Sequence, residues 1–152
     1  MIPRPLRVSV IDDDPSVLTS LSRLLRSSGH VASGYASGQE FLDNVSATAP
    51  DCIVIDVNMP ALDGFAVRDR AARIFPSTPV VFITAQEDID LDDRARAAGS
   101  QLLRKPFRAE DLVHAVEGAS ERNREGEVPS DGERETPALS GEPSRRDGKG
   151  ER

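Results

Sequence analysis

The chain is 152 residues long, enough for one cored domain of ordinary size and a tail but not for two cored domains. Its composition, 38% hydrophobic and 30% charged without tryptophan, is that of a soluble cored protein, and a formal net charge of −7 argues against a sequence-independent grip on nucleic acid. The single cysteine, Cys52, allows no intramolecular disulfide, and no apolar run approaches the roughly 18 residues needed to span a bilayer, so the expected setting is cytoplasmic with no membrane contact.

Met1-Ile2-Pro3-Arg4-Pro5 has no long apolar segment behind it and reads as no signal peptide. Leu6 to Ile11 is short and β-branched, so a strand is predicted there. From Pro15, Val17, Leu18, Leu21, Leu24 and Leu25 recur at helical spacing, and Gly29 stands where such a helix ends. His30 to Tyr35 reads as a weak strand, and Ser37-Gly38-Gln39-Glu40 has the capping-box pattern that opens a short helix. Cys52 to Ile55 reads as a buried strand, with Cys52 itself a small buried hydrophobe. A helix over Gly64 to Phe75 is closed by Pro76. Val80 to Ile83 is a further buried strand, with a helix within Asp88 to Ala98 ending at Gly99. Leu102-Leu103 forms a last short strand, and Ala109 to Glu117 a last helix.

Five strands alternating with five helices predict an α/β fold, a doubly wound five-stranded parallel sheet with helices on both faces. The predicted domain covers residues 5–120. Residues 121–152 hold only Val128, Ala138 and Leu139 as apolar side chains, with five Gly and three Pro among nine acidic and seven basic residues. Such a stretch cannot bury enough surface to offset the entropy of ordering, so it reads as a disordered acidic/basic tail.

In an open parallel sheet, ligands bind beyond the carboxyl ends of the strands. Asp12, Asp13 and Asp14 follow the first strand, Asp56 ends the third, Thr84 follows the fourth and Lys105 the fifth. Asp14 alone is explained as the cap of the helix that begins at Pro15. Asp56, ending an otherwise apolar strand, has no such structural role. Gathered at one edge, these carboxylates repel one another, and a hard divalent cation resolves the conflict. Mg²⁺, with one or two carboxylates, waters and a substrate phosphate, is the natural choice. A lysine and a threonine hydroxyl are what the oxygens of a phosphoryl group need nearby.

The blocks Val10-Ile11-Asp12-Asp13-Asp14-Pro15, Val54-Ile55-Asp56-Val57-Asn58-Met59-Pro60 with Asp63-Gly64, Phe82-Ile83-Thr84-Ala85 and Lys105-Pro106-Phe107 closely resemble the receiver domain of two-component response regulators, a CheY-like (flavodoxin-like) fold, with a FixJ-type flavour. The resemblance covers roughly residues 5–118. It implies that Asp56 is the phosphorylated nucleophile, accepting a phosphoryl group from a histidine kinase or phosphotransfer protein. It implies that Asp13 and Asp56 ligate Mg²⁺ together with the backbone carbonyl of Asn58, and that Asp12 acts mainly through a bound water. Lys105 would pair with a carboxylate and later with a phosphoryl oxygen, and Thr84 would turn its hydroxyl onto the phosphoryl group. Ala85 leaves the approach open. Asn58 and Gln86 flank the phosphoryl position and tune its lifetime, and the bond before Pro106 is expected to be cis. Such a protein is not a conventional enzyme; it catalyses its own phosphorylation and slow dephosphorylation. Kinase contact is expected on Val17, Leu18 and Leu21 and at Pro106-Phe107, while His30 and His114 read as ordinary residues without chemistry.

Two features depart from the family pattern. Leu102 occupies the switch position, three residues before the lysine, where an aromatic is usual, and Gly99 to Lys105 is one step short. Both bear on what phosphorylation switches rather than on the phosphorylation itself. Arg108 stands where an Asp or Ser cap is more usual. FixJ-type regulators continue into a DNA-binding helix-turn-helix, which residues 121–152 cannot form, so the sequence reads either as a stand-alone receiver or as a shortened relative, expected to be monomeric or weakly dimeric and to act on a downstream protein target, with no nucleic-acid binding expected of this chain. The alternative functions are a phosphorylation-independent receiver-like interaction domain and an aspartyl-nucleophile phosphohydrolase. The latter needs an acid two residues after the nucleophile, and Asn58 stands there.

Overall fold

The computed structural model describes residues 4–45, 48–85 and 89–132. The elements follow in the order β1 (Arg7–Ile11), α1 (Pro15–Ser27), β2 (Val31–Tyr35), α2 (Gly38–Asp43), β3 (Cys52–Asp56), α3 (Gly64–Ile74), β4 (Val80–Thr84), α4 (Ile89–Ala97), β5 (Gln101–Arg104) and α5 (Ala109–Gly132). All strand pairs are parallel, and the sheet order is β2-β1-β3-β4-β5. The chain therefore winds first to one side of β1 and then to the other, and the order reverses between β1 and β3. That is the doubly wound sheet expected from the alternating sequence.

The sheet is covered on both faces. Val8, Val10, Cys52, Val54, Val81 and Ile83 pack with Leu21 and Leu25 of α1 and with Leu112 and Val116 of α5. Ile11, Ile53, Ile55 and Phe82 pack on the other face with Phe41 of α2, Val67 and Ala71 of α3, and Leu91 and Ala95 of α4. Strands buried on both faces cannot alternate apolar with polar residues, which is why β3 and β4 read as continuous apolar runs. Every residue of both strands is buried.

Local signals set the helix ends. Asp14 accepts from the N–H groups of Ser16 (2.9 Å) and Val17 (3.4 Å), with Pro15 following at the first helical position. Ser37 Oγ accepts from Glu40 N, and Glu40 Oε1 reaches back to Ala36 N at 2.7 Å. At Arg108, Asp111 Oδ2 accepts from the Arg108 N–H at 3.0 Å, the half of a capping box in which an acid in the first turn reaches back to the cap residue.

By its internal contacts the chain divides into one unit through Ser120 and a second from Glu121. Helix α5 runs to Gly132, beyond the Glu117 end read from apolar spacing, and buries Ala119 and Ser120 past that point. Residues 133–152, the larger part of the expected disordered tail, lie outside the described residues, as does Gln86. Among the described residues no helix is long and apolar enough to cross a membrane.

Candidate functional site

The carboxyl ends of β1 and β3, on either side of the order reversal, carry Asp12, Asp13 and Asp56. Each offers a carboxylate oxygen within 4.8 Å of the others. Side chains alternate between faces along a strand. Asp12 shares the parity of Val8 and Val10, Asp56 that of Cys52 and Val54, and Lys105 that of Leu103, so all three follow the α1/α5 face. Thr84 has the parity of Phe82 and belongs to the α3/α4 face. The threonine thus meets the cluster from across the strand ends.

Asp12 is buried and Asp13 exposed, while Asp56 retains 8% of its exposure. Asp12 Oδ1 accepts from the Asp14 N–H at 2.9 Å. Its Oδ2 is buried and, among the described residues, has no hydrogen-bond partner; the nearest cation is Lys105 Nζ at 3.9 Å. A buried carboxylate oxygen left in this state is costly and needs a further cationic partner. Burial raises the pKa of Asp12, against the Asp14 N–H and the Lys105 charge. Burial, and next the charge on Asp12, push Asp56 up to about 6, although the Lys105 ammonium and the Asn58 N–H work against the shift. Three crowded carboxylates, one with an orphaned oxygen, are the donor set that a hard divalent cation fits.

Loops after each strand hold this edge in place. Val57 N donates to Ile83 O at 2.8 Å and Lys105 N to Thr84 O at 2.8 Å, carrying the sheet one residue past β3 and β5. Gly64 N donates to Val57 O at 3.0 Å. A Cβ on Gly64 would lie 2.7 Å from the backbone oxygen of Asp56, so only glycine lets α3 start this close to the acidic strand end. Asp63 caps α3 through Ala66 N at 2.9 Å. Ala61, in the loop between β3 and α3, has φ 66, a left-handed conformation for a residue with a side chain. The Lys105-Pro106 bond is cis, the isomer that the resemblance implies.

The remaining residues singled out from the sequence are placed as follows. Asn58 is exposed, and its Nδ2 donates to Thr84 Oγ1 at 3.3 Å, while Thr84 itself is buried. Ala85 is exposed, and Gln86 lies outside the described residues. Leu102 is half-buried against the α3/α4 core beside Phe82. Val17 and Leu18 are half-buried on α1, whereas Leu21 belongs to the core. His30 is not an ordinary residue: it is 8% exposed, its Nδ1 accepts from Leu6 N at 3.0 Å, and its Nε2 lies 2.8 Å from Glu117 Oε2. An Nδ1 that accepts fixes the tautomer with the proton on Nε2, which then donates to Glu117.

Sequence reasoning also missed how α4 is held. Arg104 Nη2 pairs with Asp92 Oδ2 at 2.9 Å, Arg68 Nη2 donates to Ala98 O at 2.7 Å, and the Arg94 guanidinium lies 4.0 Å over the Phe65 ring. Two of these contacts join residues 30 and 12 positions apart, and no periodicity announces them.

Comparison with known proteins agrees with this geometry. Residues 8–117 match the response regulator receiver domain. The chain is 37% identical over 118 residues to nodulation protein W of Bradyrhizobium diazoefficiens, covering 77% of this chain and 52% of that protein. It is 40% identical over 119 residues to the transcriptional regulatory protein PrrA of Mycobacterium leprae, covering 76% and 50%. The chain thus spans about half the length of these curated relatives. Among solved structures, a response regulator receiver domain protein from Clostridium thermocellum superposes with a TM-score of 0.71 at 29% identity, over 78% of this chain and 97% of that one.

Proposed function

Because the chain belongs to the response regulator receiver family, we propose that Asp56 accepts a phosphoryl group from the phosphohistidine of a kinase or phosphotransfer protein, with Mg²⁺. The observation that carries this reading is the crowding of Asp12, Asp13 and Asp56 around the orphaned Asp12 Oδ2. Asp13, Asp56 and the Asn58 carbonyl would hold the ion, with Asp12 acting through water. When bound, it neutralises the carboxylates and the transferring phosphoryl oxygens.

A carboxylate oxygen of Asp56 attacks phosphorus in line, the bond from phosphorus to the donor imidazole breaks, and the electron pair leaves with that nitrogen. A carboxyl whose pKa is about 6 is part protonated in slightly acidic solution, so the nucleophile needs cationic help to be fully ionised. Lys105, now 3.9 Å from Asp12, supplies some of it and can turn to a phosphoryl oxygen. Thr84, held by Asn58, can give up that contact and offer its hydroxyl to the phosphoryl group. Ala85 leaves room for the incoming donor, and Asn58 and Gln86 set how readily water reaches the product. The protein is thus a cytoplasmic signalling module that catalyses its own phosphorylation and slow dephosphorylation and acts on a downstream protein target. It does so as a monomer or weak dimer.

Incubation with a small phosphodonor such as acetyl phosphate tests this reading. Labelling should require Mg²⁺ and vanish in Asp56→Asn; equal labelling of that variant overturns it. A phosphorylation-independent interaction domain is favoured instead if the wild type fails to label while partner binding is unchanged in Asp56→Asn. The replacement of the usual aromatic by Leu102 motivates that second reading.

A further inference from the structure

We infer that the groove between α1 and the free edge of β2 is a binding site for a small phosphate ester, separate from the acidic edge. The groove has a volume of about 490 Å³ and is lined by Leu18, Thr19, Ser22, Arg23, Arg26, Ser27 and Gly34. That volume lies within the range of about 300–1,000 Å³ typical of small-molecule sites. Thr19, Ser22, Arg23, Arg26 and Ser27 fall at i, i+3, i+4, i+7 and i+8, so one stripe of α1 delivers two guanidinium groups and three hydroxyls to the same wall.

The electrostatic setting is one-sided. Acidic residues number 26 in the chain, yet none occurs from Pro15 to Gln39. Among the described residues neither Arg23 nor Arg26 is in an ion pair. Two unneutralised arginines one turn apart present planar, forked donors that match phosphate oxygens.

The strand edge holds one of them in place. Val31 N donates to Leu6 O and Tyr35 O accepts from Asp12 N, so the odd-numbered residues of β2 face β1. Ala32 and Gly34 therefore turn their backbone groups outward to the groove. Arg26 Nη2 donates to Ala32 O at 3.0 Å, which fixes the guanidinium at the rim and leaves its other N–H groups for a ligand. The same contact covers an edge carbonyl that an added strand would need, which favours a small molecule over an extended peptide. At Gly34 a Cβ would meet Leu18 at 3.2 Å, so a larger residue would crowd the floor. No aromatic side chain lines the groove, so a nucleobase has nothing to stack on, whereas a sugar phosphate meets hydroxyls and arginines throughout.

Titration of the isotope-labelled full chain with pyrophosphate and with ribose 5-phosphate, followed by amide NMR, tests the site. A chelator is present so that the Asp12, Asp13 and Asp56 cluster stays negative and rejects the anion. Saturable shifts are expected at Thr19, Arg23 and Gly34, with none from ribose alone. Arg23→Gln, an exposed change that leaves the Ala32 contact intact, should weaken binding about tenfold, and Arg26→Gln at least as much. Absence of saturable shifts, shifts confined to the neighbourhood of Asp12 and Asp56, equal shifts with ribose, or unchanged affinity in Arg23→Gln each overturns the assignment.

Discussion

Asp51 and Asp56 stand at opposite ends of β3, and the protein treats them in opposite ways. Asp51 accepts two hydrogen bonds from Arg4 (2.8 and 3.1 Å) and one from the Arg7 N–H (2.8 Å). Burial acts to raise its pKa, but the Arg4 hydrogen bond, the Arg7 N–H and both positive charges outweigh it and hold the carboxyl below its ordinary value. Five residues on, Asp56 faces Asp12 with Lys105 as weak compensation and is pushed up to about 6. At the amino edge of the sheet, Ser120 Oγ donates to Asp51 O, and His30 joins Leu6 to Glu117. The carboxyl edge holds unsatisfied charge. A carboxylate that serves stability is fully paired, and one that serves chemistry is left wanting a partner.

This contrast predicts opposite mutational signs. The largest effect is expected for Asp56→Asn in metal-free protein. Because the folded-state pKa of Asp56 is raised from 3.8 to about 6, its contribution to stability is full below the unfolded value and is lost as pH rises through about 6. The wild type should therefore lose up to about 3 kcal/mol between about pH 4 and neutrality, a figure that follows from a shift of about two units. Asp56→Asn should remove that loss and unfold at higher urea concentration near neutral pH. A variant less stable than the wild type there breaks the comparison.

Asp51→Ala should move the other way, destabilising by about 2 kcal/mol at neutral pH through three lost hydrogen bonds. Its depressed pKa makes the penalty fade as pH falls below the ordinary carboxylate range, so the two variants should converge in acid. Urea unfolding at a series of pH values reads both curves. Smaller still, Gly64→Ala should cost about 1–2 kcal/mol, because its Cβ would press on the Asp56 carbonyl. Phosphorylation should slow in the same variant, since the acceptor itself is displaced. A Gly64→Ala protein that unfolds and labels as the wild type does would detach the helix start from the site.

The two edges also differ in how far the sequence discloses them. The acidic edge is legible because its key residues end strand-like runs: Asp12 follows the β-branched Val8-Ser9-Val10-Ile11, Asp56 ends the apolar Cys52 to Ile55, and Thr84 ends the apolar Val80 to Ile83. In a parallel sheet those ends must converge, so topology and site come from the same signal. The amino edge is not legible. Arg4 and Asp51 are 47 residues apart, and His30 and Glu117 are 87 apart, so nothing local ties them. The same holds for α4, whose Arg104–Asp92 and Arg68–Ala98 contacts depend on how helices settle against strands. Helix α5 reaches Gly132 through charged sequence that offers no apolar stripe to read.

The central claim is that Asp56 is the phosphoryl acceptor, and peptide mass mapping of the protein after treatment with acetyl phosphate and Mg²⁺ tests it most directly. A single phosphoryl group on the peptide containing Asp56, absent when the metal is chelated, is the predicted result. A phosphoryl group on any other residue of the wild type, or an unmodified Asp56 peptide in the presence of Mg²⁺, contradicts it.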